Sequence, residues 1–354
     1  MKDITVEELI NSGHYIPVDV RSPIEHEEAN IPGSINVPLF SNDERAEIGI
    51  IYKNMGPEAA KWRAMEIVSP KLPELLGTIK DLGKNGRQPV IHCWRGGTRS
   101  QSVSAFLEYA GLPATRLSGG YRAYREYILE QIPRLLPKHA VVIHGLTGTG
   151  KTELLKELEW KGYPVLNLEE MANHRGSIFG AMGIGEGNNQ KTFDALLFKR
   201  LLEIKGSQYF IIEAESKRIG RAVQQEELLE RKANGIHFLI ESTITSRIDR
   251  IYDEYVLPYE NESWFHEEVR EKTVRLEKRL KNPELARILA QAVDMHDYKL
   301  VIHILLEHYY DPRYGHKLNE YHGPFAIIPG DDIENAVFML ENEINKLING
   351  KSLV

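Results

Sequence analysis

Gly145-Leu146-Thr147-Gly148-Thr149-Gly150-Lys151-Thr152 follows the apolar run Ala140-Val141-Val142-Ile143-His144 and opens an amphipathic stretch from Glu153 to Trp160. The run reads as a strand, the octet as a loop and the stretch as a helix. The octet matches G-x-x-x-x-G-K-[ST], and strand–loop–helix is the context in which that pattern has chemical meaning. Its glycines let backbone N–H groups close around a polyphosphate. Lys151 adds a point charge, and the Thr152 hydroxyl offers a ligand to Mg²⁺. The pattern announces a bound di- or triphosphate and leaves hydrolysis open. A metal-orienting acid is expected at the end of a nearby strand. Phe210-Ile211-Ile212 ends in Glu213, with Glu215 two residues on, so these two carboxylates are the candidates, although glutamate departs from the more usual aspartate.

Outward from this loop, further strands are expected at Tyr163 to Leu168, Tyr209 to Glu213, Ile236 to Ile240 and Phe325 to Ile328. Between about Thr243 and His308 the patterning is helical. Upstream, Pro133-Arg-Leu-Leu-Pro137-Lys-His139 closes an earlier unit with two prolines. In that unit the short runs Tyr15–Val20, Ile35–Pro38, Pro89–His92 and Ala114–Leu117 read as strands, with helical stretches such as Lys71 to Asp81 between them. The pattern is α/β with a largely parallel sheet. The expected organisation is an N-terminal domain over 1–133, a linker over 134–139, and a P-loop domain over 140–354 with a helical extension at about 243–308.

The N-terminal domain carries a second anion loop. His92-Cys93-Trp94-Arg95-Gly96-Gly97-Thr98-Arg99-Ser100 lies between the run Pro89–Ile91 and the amphipathic stretch Ser102–Tyr109, and it holds the chain's single cysteine. A thiol at a helix N-terminus, beside Arg95 and Arg99, is placed to ionise and to meet an anion. Cys93 is therefore the candidate nucleophile, with Trp94, Arg95, Gly96, Gly97, Thr98 and Arg99 as its anion loop. His-Cys-x5-Arg-Ser is also the spacing of cysteine phosphatases, which share this physics.

Composition narrows the classes further. With 354 residues, 42% hydrophobic and 27% charged, the chain can bury two cores, and no apolar run is long enough for a bilayer span. The mixed N-terminus, Met1-Lys2-Asp3-Ile4-Thr5, reads without a secretory signal, so a cytoplasmic location is expected. One cysteine excludes an internal disulfide and a cysteine-based zinc site. None of the 13 histidines has metal-ligand spacing, and no metal-ligand set is assigned. The net charge of −7 argues against a wholly basic coat but leaves local nucleic-acid patches open. The basic residues between Arg270 and Arg287 read equally as a solvated helix face.

The flanks of the cysteine loop decide between its readings. Asp19-Val20-Arg21-Ser22-Pro23-Ile24-Glu25 and Asn30-Ile31-Pro32-Gly33-Ser34-Ile35-Asn36-Val37-Pro38 precede it, and Leu117-Ser118-Gly119-Gly120-Tyr121-Arg122-Ala123-Tyr124 follows. These strongly resemble the rhodanese pattern over residues 1 to about 130. The loop is one residue longer than the Cys-x4-Arg of thiosulfate-type rhodaneses, and Asn30 replaces a usual histidine.

A rhodanese-like unit followed by a P-loop unit, with His174-Arg175-Gly176-Ser177 and Tyr309-Tyr310-Asp311-Pro312-Arg313-Tyr314 downstream, is similar to the bacterial tRNA 2-selenouridine synthases over the full length. The resemblance implies a transferase acting on wobble 2-thiouridine in the anticodon stem-loop of tRNA. It implies S-geranylation by geranyl diphosphate, then replacement of the geranylthio group by selenium from selenophosphate. Both are substrates, no firmly bound cofactor is implied, and a selenophosphate-supplying enzyme is an expected partner. Gly145, Gly148, Gly150, Lys151 and Thr152 then fall to the diphosphate, and the Cys93 loop to selenophosphate. Weaker candidates are His174, Arg175 and Ser177, in a glycine-bounded loop able to reach the phosphate site, and Tyr310, Asp311 and Arg313, whose composition suits stacking on an unpaired base or packing in a core. The competing readings are a P-loop kinase or ATPase with a regulatory rhodanese domain, and a cysteine phosphatase.

Overall fold

The computed structural model describes residues 1–280, 282–318 and 325–349. The chain is α/β throughout and falls into two units, one of residues 1–134 with 191–199, the other of 135–190 with 200–354.

The first unit is built on five parallel strands: β1 (Lys2–Ile4), β2 (Tyr15–Asp19), β3 (Ile35–Asn36), β4 (Gln88–His92) and β5 (Thr115–Leu117), in the order β1-β5-β4-β2-β3. The edge strand β1 is absent from the sequence expectation because only Ile4 of its three residues is buried, which leaves no alternation to read. Val18, Val20, Ile91, Val103 and Leu107 form the core. Each such side chain contributes roughly 1.5–3 kcal/mol on burial. Cys93 follows β4 directly, and the helix Thr98–Tyr109 starts five residues later.

The Gly119-Gly120 pair has a strict steric cause. Both residues sit in the left-handed region, at φ 70° and 62°. A Cβ on Gly120 would lie 2.3 Å from the Cys93 carbonyl oxygen and 2.5 Å from the Gly96 nitrogen. The turn thus packs its bare backbone against the cysteine loop. The N–H groups of Tyr121 and Arg122 donate to the carbonyls of Cys93 and Trp94 at 2.9 and 2.8 Å.

The second unit has β6 (His139–Gly145), β7 (Val165–Leu166), β8 (Tyr209–Glu213), a short antiparallel pair β9 (Arg218–Ile219) and β10 (Ala222–Val223), β11 (Ile236–Glu241) and β12 (Ala326–Pro329). The main sheet is parallel in the order β12-β11-β6-β8-β7, so β6 is central. β7 is shorter than the apolar run suggests. Asn167 leaves the strand and caps the helix Leu168–Ala172 through its side-chain oxygen, which accepts from the Glu170 N–H at 3.2 Å. The expected helical region consists of Ile244–Tyr255, Phe265–Glu277, Pro283–Asp294 and Tyr298–Leu305, followed by a π-helical turn, Leu306–Tyr310. These helices share a core of their own around Phe265, Leu276, Leu289, Val293 and Leu306. Among the described residues no helix is long and apolar enough to cross a membrane.

Candidate active site

Sheet order places the phosphate loop at the carboxyl end of the central strand β6, where open α/β sheets bind ligands. Gly148 and Gly150 adopt φ of 81° and 85°. A Cβ on Gly148 would meet Ile251 Cδ1 at 2.8 Å and the Arg247 carbonyl at 2.9 Å. One on Gly150 would meet Ile333 Cδ1 at 2.4 Å. The glycines are therefore demanded both by backbone conformation and by the packing of the loop. Lys151 Nζ donates to the loop carbonyls of Gly145 (2.9 Å) and Leu146 (3.2 Å), which keeps its ammonium over the cradle. The loop borders a cleft of about 790 Å³, with Gly148, Gly150, Lys151, Thr152 and Arg250 on its wall.

Two carboxylates reach Thr152, and a third lies beside them. In the pairing of β6 with β8, Glu213 lies opposite Ile143, two residues before the loop begins. Glu169 lies in the short helix after β7. The Thr152 hydroxyl oxygen lies 3.1 Å from Glu169 Oε2 and 3.4 Å from Glu213 Oε1. Glu169, Glu213 and Glu215 each offer one oxygen within 4.8 Å of the others. Burial first, then the charges of Glu213 and Glu215, push the Glu169 carboxyl well above the usual carboxylate range. Burial raises Glu213 too, with Glu215 adding to it and Lys151 opposing. Like charges buried together favour a bound cation or a held proton. The sequence pointed to Thr152, Glu213 and Glu215 as candidates around a Mg²⁺ ion but not to Glu169. The structure adds Glu169 to them, and these three side chains with the Thr152 hydroxyl form a group able to hold a divalent cation.

The weaker candidates divide. Arg175 and Ser177 line the cleft, and the Arg175 guanidinium also pairs with Glu254 at 2.9 Å and lies over the Tyr255 ring. His174 is not on the cleft wall; its Nδ1 accepts from the Gly176 N–H at 3.1 Å. Tyr309, Tyr310 and Arg313 line the cleft. Tyr309 is 5% exposed and also belongs to the helical core.

Asp311 is committed elsewhere. The fork of Arg247 grips it at 2.9 and 2.6 Å, while Arg247 Nε donates to the Thr147 carbonyl at 2.8 Å. Arg247, 3% exposed, thus ties the phosphate loop to the helical region, and Asp311 neutralises it. Asp311→Ala is expected to cost about 3 kcal/mol of stability, because it leaves a buried guanidinium without its counter-charge. Urea unfolding measures this, and an unchanged midpoint would contradict it.

In the first unit, Cys93 is 4% exposed, and its Sγ lies 3.3 Å from Ser100 Oγ and 3.9 Å from the Gly97 carbonyl. The loop rests on a buried ion pair. Asp19, at the end of β2, accepts from Arg21 Nε at 2.9 Å and Arg21 Nη2 at 2.6 Å, and Nη2 also donates to the Ala29 carbonyl. Arg21 lies 4.5 Å from the Tyr121 ring centroid. Against the upward pull of burial, His26, His92 and Arg21 hold the Asp19 carboxyl well below its usual range. His92 is fully buried; burial pushes it down to about 4 against the opposing pull of Asp19, so it is neutral near pH 7. Asp19 and Arg21 are thus framework beneath the loop. Glu25 acts on the loop itself. It receives Arg99 at 2.5 and 3.1 Å, orienting that guanidinium at the start of the helix. Arg95 is exposed and, among the described residues, has no ion-pair partner.

A parallel sheet carrying a cysteine loop, followed by a parallel sheet carrying a phosphate loop, defines a rhodanese-like domain joined to a P-loop domain. A model of the rhodanese-like domain matches residues 4–127, and one described as the tRNA 2-selenouridine synthase AAA domain matches residues 138–344. The chain belongs to the tRNA 2-selenouridine synthase family. The tRNA 2-selenouridine synthase of Bdellovibrio bacteriovorus is 35% identical over 265 residues, covering 73% of this chain and 69% of that protein. That of Pseudomonas fluorescens is 32% identical over 321 residues, covering 84% and 87%. That of Nitrosomonas eutropha is 34% identical over 245 residues, or 68% of this chain, and the match spans 63% of the length of that relative.

Proposed function

We propose that this chain converts wobble 2-thiouridine of tRNA to 2-selenouridine in two steps, one at each loop. In the first, the thiocarbonyl sulfur attacks C1 of geranyl diphosphate. The C–S bond forms, the C–O bond breaks with its electrons passing to diphosphate, and the base releases its N3 proton. In the second, selenium from selenophosphate adds at C2, geranylthiol leaves, and water takes the phosphoryl group. Alkylation is chemically reasonable preparation, since it makes the sulfur a better leaving group.

The observation that carries this reading is the pairing of two preformed anion loops, one with a nucleophile and one without. The loop at Gly145–Thr152 has no thiol and turns glycines and Lys151 to its ligand, so what it supplies is charge stabilisation for a departing diphosphate. The other presents the Cys93 thiol with Arg95 and Arg99 to meet selenophosphate. Thr152, Glu169, Glu213 and Glu215 suit Mg²⁺, which when bound would neutralise diphosphate oxygens. Substrates of this kind belong to the cytoplasm, with a selenophosphate-forming enzyme as supplier.

The test is reconstitution with the purified protein and an anticodon stem-loop bearing 2-thiouridine. Mass spectrometry of the nucleosides should show the S-geranyl product with geranyl diphosphate alone, and 2-selenouridine once selenophosphate is added. Recovery of unmodified 2-thiouridine in both arms would refute the proposal.

A further inference from the structure

Beside the phosphate cleft, the helical region encloses a second cavity of opposite character. Thr147, Ser177, Ile251, Tyr255 and Tyr310 border both spaces, so the cavity opens where the loop ends. Beyond that mouth its wall is made by Met182, Phe265, Val269, Val301, Ile302 and Leu305. Among the described residues, no charged side chain, amide or carboxylate lines it.

This combination discriminates between diphosphate ligands. A nucleotide base needs donors and acceptors at its edges, and a site for it carries a few such groups among apolar ones. Here the polar side chains among the described residues are hydroxyls, and four of the five, Thr147, Ser177, Tyr255 and Tyr310, stand at the mouth. The deeper wall offers van der Waals contact alone, apart from the Tyr298 hydroxyl. It suits a branched hydrocarbon whose polar end stays outside. The aromatic rings of Tyr255 and Tyr310 sit at the junction, where an allylic carbon attached to diphosphate would lie and where positive charge develops as the C–O bond breaks.

We propose that the hydrocarbon chain of the isoprenoid diphosphate enters the helical region here, widening a cavity of about 70 Å³, and that the walls it displaces set the chain length transferred. The proposal rests on the Gly145–Thr152 loop being the diphosphate site. The walls come from Phe265–Glu277 and Tyr298–Leu305, so the helical extension is the specificity element of the transferase.

The full-length protein tests it with three allylic diphosphates, of five, ten and fifteen carbons, and 2-thiouridine stem-loop as acceptor. Val301→Phe fills the cavity away from the loop. It should raise the five-carbon to ten-carbon ratio of kcat/KM at least tenfold, since each CH₂ kept from apolar burial costs roughly fourfold. Val301→Leu, a smaller change less prone to disturb folding, should move the ratio in the same direction. Met182→Ala enlarges the wall and should raise the fifteen-carbon to ten-carbon ratio at least fivefold. Inorganic pyrophosphate binding, followed by calorimetry, reads the loop separately. Ratios that stay fixed in all three variants while the wild type transfers geranyl and binds pyrophosphate would overturn the cavity assignment alone. A wild type that fails to bind pyrophosphate, or in which Lys151→Ala leaves transfer untouched, would overturn the loop reading and this proposal with it.

Discussion

Lys151→Ala should lower kcat/KM for geranyl transfer to 2-thiouridine by about 10²–10³-fold, the range seen when a preorganised charge-stabilising group is removed. The physical argument concerns where charge appears. Geranyl diphosphate is already anionic, but C–O cleavage concentrates a further charge on the leaving oxygen. Lys151, held over the loop by the Gly145 and Leu146 carbonyls, is placed to meet it. The backbone N–H groups of the loop would remain, so pyrophosphate should bind more weakly yet measurably. The variant should still convert tRNA supplied already S-geranylated, because that step uses the other loop. Lys151→Arg should recover little, since a planar fork does not reproduce a compact ammonium held by the Gly145 and Leu146 carbonyls. Single-turnover transfer, read by chromatography of the labelled stem-loop, measures the effect. Transfer at the wild-type rate would remove the loop from the reaction.

Cys93→Ser is expected to be the mirror image. Conversion of S-geranyl-2-thiouridine to 2-selenouridine should fall on the order of 10²–10³-fold, as when a group that positions the selenium donor is lost, while geranyl transfer continues. The replacement is nearly isosteric at a site 4% exposed, with Ser100 Oγ 3.3 Å from the sulfur position, so the loop should keep its shape. What changes is the atom the loop presents: a large, polarisable sulfur gives way to a small, hard oxygen, a poorer contact for selenium. A selenophosphate-dependent assay on pre-geranylated stem-loop isolates this step. If Cys93→Ser makes 2-selenouridine at the wild-type rate, the sulfur takes no part, and guidance by Arg95 and Arg99 alone would have to account for it.

Much of both loops was legible because each is a local object. Strand, glycine-rich turn and helix succeed one another within a few residues, and glycines at positive φ leave a mark in the sequence that side-chain chemistry cannot erase. The Gly119-Gly120 turn also stands in the sequence beside recognisable neighbours. Its reason, a contact of 2.3 Å between any Cβ at Gly120 and the Cys93 carbonyl, does not.

The rest lies in distances along the chain. Arg99 is oriented by Glu25, which is 74 positions away, and Arg247 is neutralised by Asp311, 64 positions away. Glu169 joins Glu213 and Glu215 because β7 ends at Leu166 and Asn167 turns the chain into a helix, at a place where apolar periodicity predicts two more residues of strand. The apolar cavity has no motif at all, since Phe265, Val269, Val301 and Leu305 look in sequence like any helical core. By itself the sequence determined the α/β class, the two anion loops and the residues that form them, because short-range backbone geometry decides these. Only the tertiary structure decided which carboxylates meet at Thr152, which arginine beside Cys93 is held by a carboxylate, and that a hydrocarbon-lined space adjoins the phosphate loop. Sheet order and helix packing bring those groups together, and neither is written in any local stretch of the chain.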